Sequence, residues 1–261
     1  MLNILKNRLK QGYRTTGYPD VAPDLPERYR GRPEIREELC ASGCTACLDS
    51  CPTAALARRG DEPGRLSLDM GRCLFCTACT DACPDGAVTF TKDHRLAATC
   101  REDLIVSSDE RKLAASLDEE MLRVFGRSLK LRQVSAGGCS ACEAELNVLN
   151  TVVFDLGRFG IQFVASPRHA DGLVITGPVT RNMADALRLA YEAVAAPKLV
   201  IAVGACGISG GPYIDSPEVL NGASAVVPVD LFIPGCPPHP FTILDGFLRL
   251  LGRLKDGGER A

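Results

Sequence analysis

From residue 129 onward the chain alternates short apolar runs with segments of helical periodicity. LKLRQV (129–134), 161–164, 173–176, 199–203 and 229–233 have strand length and β-branched content, and helices are predicted from about Ala141, through Ala195 and up to Lys255. Such alternation predicts a parallel sheet with helices on its faces. Ahead of it, Ser107 and Glu110 form a capping pair. Leu113, Leu117, Met121 and Phe125 then recur at helical spacing until Gly126, which predicts a connecting helix within 99–127. The first 36 residues hold no sustained period. Pro19, Pro23, Pro26 and Pro33 interrupt any helix there, so a mostly extended arm is predicted, with Leu2, Leu5 and Leu9 on one face of a short amphipathic opening turn.

Between arm and connecting helix, periodicity gives way to cysteine. The chain has 13 Cys in 261 residues, eight of them between positions 40 and 83. Such a density demands disulfides or metal. The first ten residues interleave Lys and Arg with apolar residues and carry neither an apolar secretory core nor a small-residue cleavage site, so a cytoplasmic protein is expected and disulfides are not. A formal charge of -2 gives no reason to expect a nucleic-acid partner, and 46% hydrophobic residues exclude general disorder. No apolar run approaches the roughly 18 to 20 residues of a spanning helix, so membrane attachment would go through partners or the arm, which carries eight Lys or Arg against four Asp or Glu.

Residues 40–56 (CASGCTACLDSCPTAAL) and 73–88 (CLFCTACTDACPDGAV) are an internal repeat in which Cys44, Cys47 and Cys51 recur 32 positions later as Cys76, Cys79 and Cys83. The second run is the C-x2-C-x2-C-x3-C-P pattern of two-cluster ferredoxins, in which the fourth ligand of each cubane comes from the other repeat. Cys40, Cys44, Cys47 and Cys83 are therefore expected to hold one [4Fe-4S] cluster, and Cys73, Cys76, Cys79 and Cys51 another. Structural zinc is disfavoured, because zinc sites separate two C-x2-C pairs by a loop. Cys40 and Cys44 are separated by three residues instead of two, and Gly43 is expected to absorb the added turn. Cys100 stands outside both runs and is expected to be a buried or incidental thiol.

Four more cysteines follow predicted strands: Cys139 and Cys142 the first, Cys206 the fourth and Cys236 the fifth. Open α/β sheets bind ligands beyond the carboxyl ends of strands, so the four can converge on one site. Glycines around them (Gly137, Gly138, Gly204, Gly207, Gly235) let backbone N–H groups approach an anionic group. By spacing alone, C-x2-C plus two distant cysteines suits zinc as well as a third cluster. Glu143 and Glu145 fall in the first helical turn after this loop, where carboxylates favour the helix dipole. Packing and backbone hydrogen bonds are expected of His94, His169 and His239.

Four motifs resolve that choice by likeness. GCSACEAEL (138–146), SPRHAD (166–171), GACGISGG (204–211) and VPVDLFIPGCPPHP (227–240) resemble the small subunit of membrane-bound, energy-converting [NiFe] hydrogenases, including formate hydrogenlyase, a superfamily shared with the B-type subunit of complex I. Residues 15–95, with GYPDVAPDLPERYRGRPE (17–34) before the cysteines, resemble the two-cluster ferredoxin-like subunit of the same complexes. The two look fused. The resemblance implies an α/β chain with a ferredoxin-like α+β domain at 37–98 and a flavodoxin-like parallel-sheet domain at 128–255, between an extended basic arm at 1–36 and a tail at 256–261. It implies that Cys139, Cys142, Cys206 and Cys236 hold a third [4Fe-4S] cluster facing a separate catalytic large subunit. Adjacent first cysteines are usual in complex I subunits of this type, so the two residues between Cys139 and Cys142 favour the hydrogenase-like branch, although Ser140 and Ala141 replace its usual Asn-Gly. The expected function is an oxidoreductase subunit without a catalytic site of its own. It would relay single electrons between a donor or acceptor protein and a hydrogenase-like or complex I-like large subunit, peripheral on the inner face of the cell membrane through membrane-embedded partners. The rivals are a nickel-free complex that reduces quinone or sulfur compounds, and a free-standing soluble carrier.

Overall fold

The structure, a computed structural model, describes residues 2–41, 43–59, 65–107 and 112–254. Where an extended arm is expected, a helix comes first: α1 (Leu2–Gln11), with none of its residues buried. This run contains no proline and a single β-branched residue, so nothing in it opposes helix before Gly12 turns left-handed at φ 60°. The rest of the arm is irregular and held to the C-terminal part of the chain. The Thr16 N–H donates to the Val153 carbonyl (2.9 Å), and the Arg158 guanidinium donates to the carbonyls of Thr16 (2.8 Å) and Tyr18 (2.9 Å).

The cysteine-rich part is built from short pieces. β1 (Pro33–Ile35) is followed by α2 (Ala46–Asp49), β2 (Leu56–Arg58), β3 (Leu66–Asp69), α3 (Ala78–Ala82), β4 (Val88–Phe90) and β5 (Ile105–Val106). β1 pairs antiparallel with β4 through Ile35↔Val88, while β2, β3 and β5 form a second antiparallel sheet. Leu66, Leu68, Val88 and Leu104 are buried between these pieces together with Cys47, Cys73 and Cys79. This core continues into the C-terminal part of the chain, where Leu173, Ile175, Ala202 and Phe232 belong to the same buried cluster.

The connecting helix is shorter than its periodicity predicts. α4 covers Glu119–Phe125 and starts where Asp118 accepts the Met121 N–H at 2.8 Å. Residues 112–118 are not helical, because Ala114 and Leu117 give their N–H groups to the carbonyls of Ala97 (2.8 Å) and Leu250 (2.9 Å). Tertiary hydrogen bonds replace the first helical turns. Glu110 of the expected capping pair lies outside the described residues.

The C-terminal part is the predicted parallel sheet. β6 (Leu129–Ser135) is followed by α5 (Ala141–Val148), β7 (Ile161–Phe163), β8 (Gly172–Thr176), α6 (Arg181–Ala193), β9 (Leu199–Val203), α7 (Gly204–Ser209), β10 (Leu231–Ile233) and α8 (Pro240–Leu250). All pairings are parallel and the order is β10-β9-β8-β6-β7. Renumbered within the sheet this is 2-1-3-4-5 from the opposite edge, the flavodoxin-like order. β8 and β9 are buried at every position, as strands covered on both faces must be.

Two features join the halves. Ala98 lies antiparallel to β10, exchanging hydrogen bonds with Phe232 in both directions (3.0 and 2.8 Å), so the strand that edges the sheet is partly covered. Gly246 on α8 makes room for this segment, since a Cβ there would stand 2.9 Å from the Ala97 methyl. Every residue of α8 is buried, including Asp245 and Arg249, which pair at 2.8 Å.

Candidate metal centres

The thirteen cysteines contain no disulfide. Twelve of them lie in the two repeats and beyond the carboxyl ends of β6, β9 and β10. In the first expected group, Cys40 ends the 3-10 turn Glu37–Leu39, Cys47 sits on α2, and Cys83 caps α3 from the other repeat. Burial raises the pKa of Cys40, partly offset by the Arg58 guanidinium, and the charges of Cys44 and Cys83 raise it further. Cys47 is likewise raised by burial and then by Cys40, Cys83 and Cys44, so the four stand together across the repeat.

The second group is the mirror assignment. Cys73, Cys76, Cys79 on α3, and Cys51, which follows α2, line one enclosed space with Leu56, Leu68 and Phe90. Burial, with the charges of its three neighbours, pushes Cys73 up to about 12 and Cys79, chiefly through burial and Cys51, up to about 11. The crossing follows from the helices: each carries one cysteine of its own group, then ends and delivers the next to the other. Both crossing sulfurs also accept a backbone N–H four residues ahead, Cys51 from Ala55 and Cys83 from Ala87, each at 3.2 Å.

Gly43 is left-handed at φ 81°, but so is Phe75 at φ 53°, its counterpart 32 positions on in a loop with no added residue. The left-handed turn therefore belongs to the repeated loop itself and does not absorb the insertion.

The third group lies beyond the carboxyl ends of β6, β9 and β10. Cys139 precedes α5, Cys142 is its second residue, Cys206 is in α7, and Cys236 follows β10. Burial raises Cys142 strongly, and the charges of Cys206, Glu143, Cys236 and Cys139 add to it. Cys206 is pushed up to about 12 by burial, Cys236 and Cys139. A Cβ on Gly204 (φ 87°) would stand 2.5 Å from the Cys142 sulfur, so only glycine lets that thiol sit there. Glu143 is held by the hydroxyls of Ser135 and Thr176, both donating to Oε1 at 2.6 Å. Glu145, raised by burial, lines a cavity of about 220 Å³ with Cys236, Tyr29 and His239.

Crowded, desolvated thiols are unfavourable as thiolates by themselves, whereas a cationic metal inverts that preference, so the donor sets suit a bound cationic group. Among the described residues no three His, Cys, Asp or Glu side chains come close enough to share a single ion. The ligands of a cubane, bound to different irons, do not need to.

Two facts are invisible in the linear pattern. Leu74 and Phe75, between Cys73 and Cys76 of the second group, line one cavity with Cys236 of the third, so the two loops face each other. The arm also reaches the third group's surroundings, with Tyr18 donating to Asp245 Oδ1 (2.9 Å) and Tyr29 sharing a hydrogen bond with Thr242 (3.2 Å). Both tyrosines lie in the segment GYPDVAPDLPERYRGRPE (17–34), but nothing in that segment names their partners on α8. Cys100, expected to be buried or incidental, is exposed. His94 is buried against Tyr18 and His239 caps α8 by accepting the Phe241 N–H at 3.2 Å, while His169 ends the 3-10 turn Pro167–His169.

Residues 22–87 match the 4Fe-4S dicluster domain, and residues 139–250 match the NADH ubiquinone oxidoreductase 20 Kd subunit family. Among curated proteins, the probable membrane-bound hydrogenase subunit mbhJ of Pyrococcus furiosus is 39% identical over 58% of this chain and 90% of its own length. Formate hydrogenlyase subunit 7 of Escherichia coli is 45% identical over 54% of this chain, which spans 55% of that protein. The B-type NADH-quinone oxidoreductase subunit of Heliobacterium modesticaldum is 42% identical over 46% of this chain and 70% of its own. These relatives are subunits of oxidoreductase complexes, and this chain, with iron–sulfur cysteine motifs at its N-terminal side, belongs to the NADH ubiquinone oxidoreductase 20 Kd subunit family.

Proposed function

We propose that the chain is the electron-transfer subunit of a membrane-associated, [NiFe]-hydrogenase-like complex, holding three [4Fe-4S] clusters in a fixed order. The ligand sets are Cys40, Cys44, Cys47 and Cys83; Cys51, Cys73, Cys76 and Cys79; and Cys139, Cys142, Cys206 and Cys236. When bound, each cluster supplies a one-electron carrier. The residues do the rest. Helices α2 and α3 cross the ligands between repeats, backbone amides of Ala55, Phe75 and Ala87 point at the sulfurs of Cys51, Cys73 and Cys83, and Gly204 keeps space for Cys142. Hydrogen bonds to sulfur and burial are levers that set cluster potential.

The observation that carries the order is that Leu74 and Phe75, between Cys73 and Cys76, line one cavity with Cys236. It supports a sequence in which the second group lies between the first and the third. The bridge from Ala98 to Phe232 holds the two halves, read as domains at 37–98 and 128–255, in one register. Cys139 and Cys236 are exposed, which supports docking of a catalytic large subunit over the third group. The two-residue separation of Cys139 and Cys142 favours a hydrogenase-like partner. Among the described residues no helix is long and apolar enough to cross a membrane, so attachment through membrane-embedded subunits fits the reading.

Crossed ligation has a direct test. In Cys51→Ala, the cluster shared with Cys73, Cys76 and Cys79 should lose its low-temperature electron paramagnetic resonance signal while the Cys40 group keeps its own, and Cys83→Ala should give the reverse. If Cys51→Ala and Cys40→Ala altered the same signal, the assignment would be wrong.

A further inference from the structure

We propose that α1, together with Tyr13 and the neighbouring Val152 and Val153, is a docking surface for an anionic phospholipid bilayer. It goes beyond cluster ligation and gives the peripheral membrane part of the preceding reading a physical element. Leu2, Leu5 and Leu9 are 74%, 64% and 83% exposed, and at helical spacing they form one stripe with Lys6 and Lys10 on one flank and Arg8 on the other. Residues 1–19 contain Lys6, Arg8, Lys10 and Arg14 and no Asp or Glu. A surface of one sign around an apolar stripe complements an array of lipid phosphates, whereas a protein rim normally mixes both signs. Long basic side chains reach outward to headgroups while leucines sink below them, the arrangement of a helix lying in the interface plane.

The end of the helix continues the surface. Arg8 donates to the Gly12 carbonyl at 2.6 Å and lies over the Tyr13 ring, 5.1 Å from its centroid, holding an amphipathic aromatic at the exposed end. Tyr13 is 89% exposed. Immediately after it, the Thr15 hydroxyl donates to the Val152 carbonyl (2.8 Å) and the Thr16 N–H to that of Val153, which sets two exposed valines beside the helix exit. These valines follow the end of α5, whose first turn carries Cys142, so the bilayer would lie roughly 12 Å along that helix from the third cysteine group.

The test uses the full chain, purified anaerobically with its clusters, and vesicles of phosphatidylcholine with or without phosphatidylglycerol. Co-sedimentation should require phosphatidylglycerol and weaken as salt rises. Lys6→Gln/Lys10→Gln should bind roughly thirtyfold more weakly, about fivefold per basic residue near an anionic surface, and Leu5→Glu/Leu9→Glu should not bind. Absence of binding at low salt, the outcome expected if a protein subunit covers α1 instead, would overturn the proposal, as would equal binding by both variants. Iron content and reduction by dithionite, read on the same samples, report separately on the electron-transfer reading.

Discussion

Cys142→Ala is expected to stop electron delivery to the catalytic partner while leaving the ferredoxin-like half intact. The charges of Cys139, Cys206 and Cys236 all act on Cys142, and its sulfur occupies the space that Gly204 leaves open. Removing its sulfur takes away one of the four proposed ligands, the other three coming from the loop before α5, from α7 and from the loop after β10. The variant should lose about four irons per chain, the content of one cubane, and turnover by the complex should fall below detection. Eight cysteines on α2, α3 and their loops are untouched, so two clusters should still be reduced by dithionite. Normal turnover in a variant proven to lack the third cluster would refute the proposed route.

Asp245→Ala should carry the largest cost in stability. Asp245 and Arg249 are 0% and 2% exposed as side chains, and the carboxylate also accepts the Tyr18 hydroxyl that binds the arm. Truncation leaves a guanidinium inside α8 without its carboxylate, a change that costs about 3–5 kcal/mol when one partner of a buried pair is removed. It also unties Tyr18, whose hydroxyl burial holds strongly in its neutral form. For a chain of this size the midpoint of anaerobic thermal unfolding should drop by roughly 10 °C. Asp245→Leu/Arg249→Met, which removes both charges, should recover most of that loss, because apolar replacement of a buried pair is often neutral. Equal midpoints for Asp245→Ala and the unaltered chain would show that the pair holds nothing.

Much of the molecule was legible in the chain because its physics is local. Strands 172–176 and 199–203 are apolar at nearly every position, and only a strand buried on both faces asks for that. The two cysteine loops were legible as a repeat because their spacing recurs 32 positions on. What escaped depends on distant partners. The apolar period at 113–125 reads as one helix, yet Ala114 and Leu117 are spent on hydrogen bonds to Ala97 and Leu250, which no local pattern encodes. The arm reads as a loose segment because Tyr18 and Tyr29 acquire meaning only against α8. The extra residue between Cys40 and Cys44 drew attention to Gly43, whereas the shared left-handed conformation of Phe75 assigns that turn to the repeat. The meeting of Leu74 and Phe75 with Cys236 around one cavity depends on how two halves dock, through contacts such as Ala98 with Phe232, and could not be read from either half.

The most direct test of a three-cluster wire is the iron and acid-labile sulfide content of the full chain purified without oxygen. Twelve of its 13 cysteines are proposed as ligands, so about 12 irons and 12 sulfides per chain are expected, four of each per cubane, with no stoichiometric zinc. About eight irons accompanied by one zinc would contradict the account, since the cysteines at the ends of β6, β9 and β10 would then hold a structural ion and the wire would end inside the ferredoxin-like half.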